Sequence, residues 1–297
     1  MRNRITPADR EDKVGEVLRK TTAARLRAFR SAVWNYWKEN GRHDLPWRKT
    51  TDPYRIMVSE VMLQQTQVPR VIGKYKEFLK AFPNVRALAK APLGNVLKVW
   101  SGLGYNRRAK YLHDAAVMIV NEHGGVFPRE YPSLRSIPGI GQYTANAVRV
   151  FAYNEPEVLM ETNVRTAIID YFLRGKQEIE DSQIEKLAAQ AAVGQDPREW
   201  HSALFDYGAH LKLSGIRNNR QSAQYNKQSK FEGSLRQVRG AILRELHKGP
   251  TFVTTEKFSP DFHKGRTFVT KEKLGKALAG LARDGLILKE KGKWRVA

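Results

Sequence analysis

Prolines cut the chain up to Phe231 into short stretches, and most of those stretches repeat their apolar residues at helical spacing. Pro83, Pro92, Pro128, Pro132, Pro138 and Pro197 all fall between such stretches, where a helix must stop or can start. The spacing predicts helices over 55–67, 68–82, 93–100, 107–122, 143–153, 163–173, 182–192 and 200–211. Leu26, Phe29, Val33, Trp34 and Trp37 add one over 23–37, ahead of the break at Asp44-Leu45-Pro46-Trp47. No period-two alternation precedes Phe231, so this part of the fold is all-α. Residues 1–22 are charged with little apolar periodicity and read as a flexible basic tail.

From residue 212 to about 233 the composition turns to Asn, Arg, Gln, Ser and Lys, as in a linker or a segment that orders on a partner. Beyond it the pattern changes. Helices are expected over 235–247 and 271–284, with a turn near Thr255, and then strands over 286–290 and 293–296 around Lys291-Gly292. Helices followed by a basic hairpin resemble a winged helix-turn-helix over 234–297; a small α+β domain serving stability or protein contact is the alternative. The echo between 251–254 and 267–270 is too brief to indicate a repeat architecture.

Charge narrows the partner. The 297 residues hold 52 Lys and Arg against 30 Asp and Glu, a net charge of +22. Such a surface suits a polyanion, nucleic acid ahead of an anionic membrane. No stretch approaches the roughly 18 apolar residues of a membrane span, and Met1–Arg10 lacks a signal-peptide core. A cytoplasmic protein is expected, nucleoid-associated in a prokaryote, with no membrane partner. The chain has no cysteine, which excludes disulfides, thiolate zinc sites, iron–sulfur clusters and a cysteine nucleophile.

The sharpest local pattern is Leu134-Arg135-Ser136-Ile137-Pro138-Gly139-Ile140-Gly141-Gln142-Tyr143-Thr144-Ala145. Proline ends one helix, the glycines permit a tight turn, and the next helix opens at once. Amides of Gly139 and Gly141 at that N-terminus could hold a phosphate; a plain turn would need the same residues. Two carboxylates stand out. Glu60 shares a helical face with Ile56, Leu63 and Gln67, where a half-buried carboxyl would hold its proton near neutral pH. An exposed glutamate on a polar face is the plainer reading. Glu161 precedes Thr162-Asn163 and could simply complement a helix N-terminus.

The hairpin resembles the helix-hairpin-helix of the DNA glycosylase superfamily. Leu45-Pro46-Trp47-Arg48, the stretch from Ser59 to Val68 (SEVMLQQTQV) and Gly102-Leu103-Gly104-Tyr105 are similar to its MutY-type adenine glycosylase branch, over about 23–211. The resemblance implies an all-α, two-lobed core, a six-helix lobe over about 53–160 and a second from 23–52 and 161–211, with a DNA-binding cleft between them. The small α+β winged-helix-like domain would follow.

It also implies roles. Glu60 matches the catalytic acid that protonates the adenine's imidazole nitrogen. Glu161 stands where the family has an essential aspartate, one methylene shorter, and Asn163 matches an active-site asparagine. Tyr143 takes the position of the Schiff-base lysine of glycosylase–lyases and cannot form an imine, which implies a monofunctional enzyme. A tyrosine there is also similar to mismatch-specific thymine glycosylases. Gly139, Gly141 and Gln142 would meet the DNA backbone, and Gln64, Gln65 and Tyr105 would distort the duplex as a base flips. Arg107 and Arg108 would pair with phosphates.

Two departures follow. Most relatives carry a four-cysteine iron–sulfur cluster where this chain has 212–230, a segment expected to be held by packing through Tyr225 and Phe231. The residues after Phe231 are too few for the nudix-like domain that reads 8-oxoguanine in full-length relatives. The expected protein is therefore a monomer acting on double-stranded DNA with a mispaired or modified base. It would use no metal and no cofactor, a monovalent cation at the hairpin being the one ion left open. Adenine opposite 8-oxoguanine or guanine is the first substrate; thymine, uracil or a modified pyrimidine such as 5-hydroxymethyluracil is the alternative. A non-catalytic DNA-binding protein is the second alternative.

Overall fold

The computed structural model describes residues 7–222, 230–248 and 270–297, with backbone alone up to residue 21. Along the chain run α1 (Pro7–Asn40), α2 (Pro53–Leu63), α3 (Val68–Ala81), α4 (Val85–Lys90), α5 (Leu93–Trp100) and α6 (Arg107–Glu122). Then come α7 (Tyr131–Ser136), α8 (Gln142–Tyr153), α9 (Thr162–Phe172), α10 (Asp181–Ala192) and α11 (Pro197–Leu213). The C-terminal region adds α12 (Leu235–Lys248), α13 (Lys271–Arg283), β1 (Ile287–Glu290) and β2 (Lys293–Val296).

Local chemistry sets many of these ends. Asp52 caps α2 by accepting the Tyr54 amide at 2.9 Å, with Pro53 at the first helical position. Asp196 and Pro197 do the same for α11, the amide being that of Glu199 at 2.9 Å. Asn84 caps the short α4, which periodicity alone does not resolve. The backbone of α1 is already helical from Pro7, so residues 7–22 continue a helix instead of forming a tail.

The chain divides into two compact units. One holds residues 1–44 and 154–226. Its core gathers Phe29 and Val33 of α1, Val164 and Ile168 of α9, and Trp200 and Leu204 of α11. Phe29 sits among the rings of Tyr171, Phe172, Trp200 and Tyr207, with centroids 5.1–6.3 Å away. Asp206, almost fully buried, accepts the Arg42 backbone amide at 2.7 Å and the Arg42 Nε at 2.6 Å, which ties the end of α1 to α11.

The other unit holds residues 45–153 and 227–297. Here α2 is buried continuously from Ile56 to Met62 and packs on α8, while α4 packs on α6. Trp100 and Phe78 meet edge to face at 6.0 Å, both fully buried. Truncating a buried aromatic to alanine costs about 3–5 kcal/mol.

The C-terminal region corrects the expectation of a separate domain. Val238, Ile242, Leu278, Leu286 and Trp294 join the same core as Trp100 and Leu112. The His247 Nε2 also meets the Gly94 carbonyl at 3.1 Å. The hairpin is as expected, antiparallel, with Ile287 opposite Val296 and Glu290 opposite Lys293. The turn near Thr255 and the 251–254 and 267–270 echo lie outside the described residues.

Gly208 is where α11 crosses α9 most closely, since a Cβ there would lie 2.1 Å from the Asn163 carbonyl oxygen. Gly208→Ala should therefore cost at least about 2 kcal/mol in urea denaturation. Gly73 of α3, with nothing within 4 Å of such a Cβ, is the contrast. Gly73→Ala should stabilise by up to about 1 kcal/mol.

Candidate functional site

The hairpin joins α7 to α8 through one tight turn, in which the Ile140 amide donates to the Ile137 carbonyl at 3.1 Å. Gly139 has φ +76°, and a Cβ there would stand 2.5 Å from Cβ of Tyr111, so the position requires glycine twice over. Gly141 has no positive φ, and a Cβ there would meet only Arg135 Nη1, at 3.9 Å. Its carbonyl accepts the Ala145 amide at 2.9 Å, which starts α8. Arg135 steadies the turn by donating to the Ile140 carbonyl at 2.7 Å. Gly139, Gly141 and Gln142 are exposed, leaving the first amides of α8 open to an anion.

Glu60 is 7% exposed, within the stretch of α2 buried from Ile56 to Met62, so the exposed polar-face reading does not apply. The end of α2 is set from a distance. Arg108 Nη1 donates to the carbonyls of Val61 (2.8 Å), Met62 (3.1 Å) and Gln64 (2.6 Å). Its Nη2 reaches Thr66 Oγ1 (3.2 Å) and the carbonyls of Leu103 (3.3 Å) and Gly104 (3.1 Å). These bonds stop α2 at Leu63, short of the expected 67, and Gln65 enters the left-handed region at φ 53°.

Arg108 is therefore no phosphate partner. It is 8% exposed, and its guanidinium lies 5.3 Å from the Trp100 ring centroid and 5.4 Å from that of Tyr105. Burial lowers its pKa to about 10, which still leaves it charged at neutral pH. Arg107 points outward, exposed, with Asp284 at 3.5 Å.

Tyr105, at φ 47°, is held from both sides. Arg236 of α12 lies 5.2 Å from its ring centroid and donates to its hydroxyl. Gln64 is half-buried and donates to Thr144 Oγ1 of α8 at 3.4 Å, whereas Gln65 is exposed. Tyr143 is half-buried in the first turn of α8.

In the other unit Glu161 is itself the N-cap of α9. Its Oε1 accepts the amides of Asn163 (2.7 Å) and Val164 (3.0 Å), and its Oε2 accepts the Thr162 hydroxyl at 3.2 Å. The residue keeps some exposure, yet burial of the carboxyl raises its pKa above the ordinary glutamate value. The Val164 amide, the Lys212 charge and the bonds from Asn163 and Thr162 work the other way. Lys212, which no sequence signal marks, donates to Asn163 Oδ1 at 2.8 Å and holds that side chain beside the cap.

His201 is a second residue that the pattern misses. Its Nε2 accepts the Leu159 amide at 3.2 Å, and its Nδ1 donates to the Pro197 carbonyl at 2.8 Å. That pair of bonds fixes the neutral imidazole and anchors the chain two residues before Glu161. Burial lowers the His201 pKa to about 4.

A four-thiolate cluster does not fit this chain, which has no cysteine to ligate it. Among the described residues no group of three or more His, Asp or Glu could hold a metal ion. Polar bonds hold the corresponding segment. Asn218 Nδ2 donates to the Thr166 carbonyl (3.0 Å), Asn219 Nδ2 to Thr166 Oγ1 (2.7 Å), and the Ser222 hydroxyl to Asp181 (3.0 Å). Of the two expected apolar anchors, Phe231 does not serve, being 60% exposed, and Tyr225 lies outside the described residues. Among the described residues no helix is long and apolar enough to cross a membrane.

Residues 58–192 match the HhH-GPD superfamily of base excision DNA repair proteins. An adenine DNA glycosylase of Mycolicibacterium smegmatis is 35% identical over 238 residues, 73% of this chain and 80% of the relative. One from Buchnera aphidicola subsp. Baizongia pistaciae is 36% identical over 189 residues, 62% of this chain but only 53% of the relative. The chain thus spans about half the length of the Buchnera protein. A thermostable thymine-DNA glycosylase superposes with a TM-score of 0.58 at 25% identity, covering 69% of this chain and 98% of the other.

His201 also predicts a pH response. In the unfolded chain an imidazole protonates near the usual pKa of about 6.5, whereas in the fold it stays neutral until about 4. The stability linked to it is complete above about pH 6.5 and is lost as pH falls towards 4, on the order of 3 kcal/mol in all. Thermal melts of the wild type should show that loss, and His201→Gln should flatten it while lowering stability at pH 7.5.

Proposed function

This chain belongs to the HhH-GPD superfamily of base excision DNA repair proteins, and on that premise we propose that it is a DNA glycosylase that hydrolyses adenine from a mispair with 8-oxoguanine or guanine. The observation that carries the reading is the setting of the two carboxylates. Glu60 is buried within α2, and Glu161 is fixed by the first amides of α9 beside Asn163. Base–sugar hydrolysis needs a proton on the leaving base and negative charge for the oxocarbenium-like sugar. Glu60 takes the first role. Glu161, in its ionised form, takes the second and orients the attacking water, with Asn163 and Lys212 keeping its surroundings in place.

The hairpin amides and the exposed Arg107 grip the backbone without reading sequence. Gln64, Gln65 and Tyr105 sit at the duplex-distorting edge. Tyr143 replaces an imine-forming lysine, so the abasic strand is left uncut. The reading takes the enzyme as a cytoplasmic monomer working without a metal or iron–sulfur cluster. The likeness to a thymine-DNA glycosylase supports a second reading, in which the same carboxylates serve a mispaired pyrimidine.

End-labelled duplexes with a single test pair, incubated with excess enzyme and then treated with hot alkali, decide between them. The adenine strand should break opposite 8-oxoguanine and guanine only after alkali, and borohydride should trap no covalent complex. Glu60→Gln and Glu161→Gln should each lower single-turnover excision by about 10²- to 10⁴-fold. Cleavage confined to thymine, uracil or 5-hydroxymethyluracil would favour the second reading. No cleavage at any pair would leave only DNA binding.

A further inference from the structure

A cavity of about 450 Å³ opens within the larger unit, lined by the turn after α5, the start of α3 and one face of α12. That size suits a small organic ligand. Its described lining includes three arginines, Arg70, Arg236 and Arg244, and no carboxylate. Arg236 is committed to the Tyr105 ring and lies 6.0 Å from the Phe231 ring centroid, so its guanidinium makes a cationic wall between two aromatic faces. The side chains of Arg70 and Arg244 make no hydrogen bond or ion pair with other described residues. Leu103 and Leu243 supply apolar surface.

An apolar and aromatic surface edged by guanidinium groups, with no carboxylate in its described lining, is the chemistry that recognises a nucleotide, with its base stacked and its phosphate paired. Tyr105 and Gln65, both on the lining, also belong to the edge assigned to duplex distortion. This favours a nucleotide still in its strand over a free one. We infer that the cavity is a second nucleotide subsite, which takes an unstacked nucleotide of the bound DNA and makes α12 of the C-terminal region part of the DNA-recognition surface. Its base lies against Tyr105 and the leucines, and its phosphates meet Arg70 and Arg244. The inference rests on the DNA-binding reading above.

The absence of cysteine makes a single thiol a unique probe. Gly240 of α12 lines the cavity, and a Cβ there would meet only Arg244 Nη1, at 3.6 Å, so Gly240→Cys fits without displacing backbone. The full chain with this substitution is mixed with duplexes carrying a disulfide-activated tether on one base, moved stepwise along both strands around an adenine–8-oxoguanine pair. Leu288→Cys, on exposed β1, is the surface control, and fluorescence anisotropy reports duplex binding in parallel. The expected result is cross-linking at one position of one strand, at least fivefold above the control. Excess unmodified duplex should compete it away, the same concentration of free deoxynucleoside monophosphate should not, and Arg70→Glu with Arg244→Glu should suppress it. Uniform yield equal to the control, with duplex binding intact, would overturn the subsite and leave the glycosylase reading standing. Competition by free nucleotide would overturn the in-strand assignment. Failure of the unsubstituted chain to bind duplex would overturn the underlying reading and the subsite together.

Discussion

One buried guanidinium organises the edge of the larger unit that carries Gln64, Gln65 and Tyr105. Burying an arginine in an apolar interior costs several kcal/mol unless its donors are met, and here five carbonyl oxygens and one hydroxyl meet both Nη groups, while Nε finds no partner among the described residues. The benefit is reciprocal. The last carbonyls of α2 have no helical partner of their own, and Arg108 supplies one along with a positive charge at the negative end of the helix dipole. The same side chain holds the Leu103 and Gly104 carbonyls and underlies Tyr105. The position of Gln64, the left-handed turn at Gln65 and the loop that carries Tyr105 thus depend on one residue.

The smaller unit uses the opposite charge at the opposite helix end. Glu161 neutralises the first free amides of α9, and Lys212 holds the Asn163 side chain that follows. A capping role and a chemical role are compatible at one carboxylate, because the bonds that satisfy the helix also fix where the oxygens point. Close approach of α11, through Gly208, and the His201 anchor on Leu159 keep the segment around Glu161 from drifting. Asn218, Asn219 and Ser222 then secure the segment after α11 by hydrogen bonds to α9 and Asp181.

Much of this was legible in the sequence, for a physical reason. Helices advertise themselves through apolar spacing and caps, so α3, α5, α6 and α8 lie where periodicity puts them, and Pro138-Gly139 marks its own turn. Glu60 was readable as buried because its helical face is apolar. Interactions between residues far apart in the chain leave no such trace. Arg108 follows Arg107 in what reads as a solvated charge run, and nothing local says that one turns inward to end a helix more than forty residues earlier. Lys212 and His201 act across similar separations. The C-terminal region has its own amphipathic pattern, and pattern alone cannot say that its apolar face completes an existing core.

In the proposed enzyme Arg108 sets the edge that carries Gln64, Gln65 and Tyr105 from within, and base release depends on that control. That dependence is tested most directly by single-turnover release of adenine by Arg108→Lys, measured well below its melting temperature with duplex saturated. A lysine keeps the charge but cannot span two sets of carbonyls with a planar fork. The variant is expected to fold, to bind duplex still and to release base at least about tenfold more slowly, since small misplacements at a reacting site cost rate steeply. Release at the native rate by a folded Arg108→Lys would contradict it.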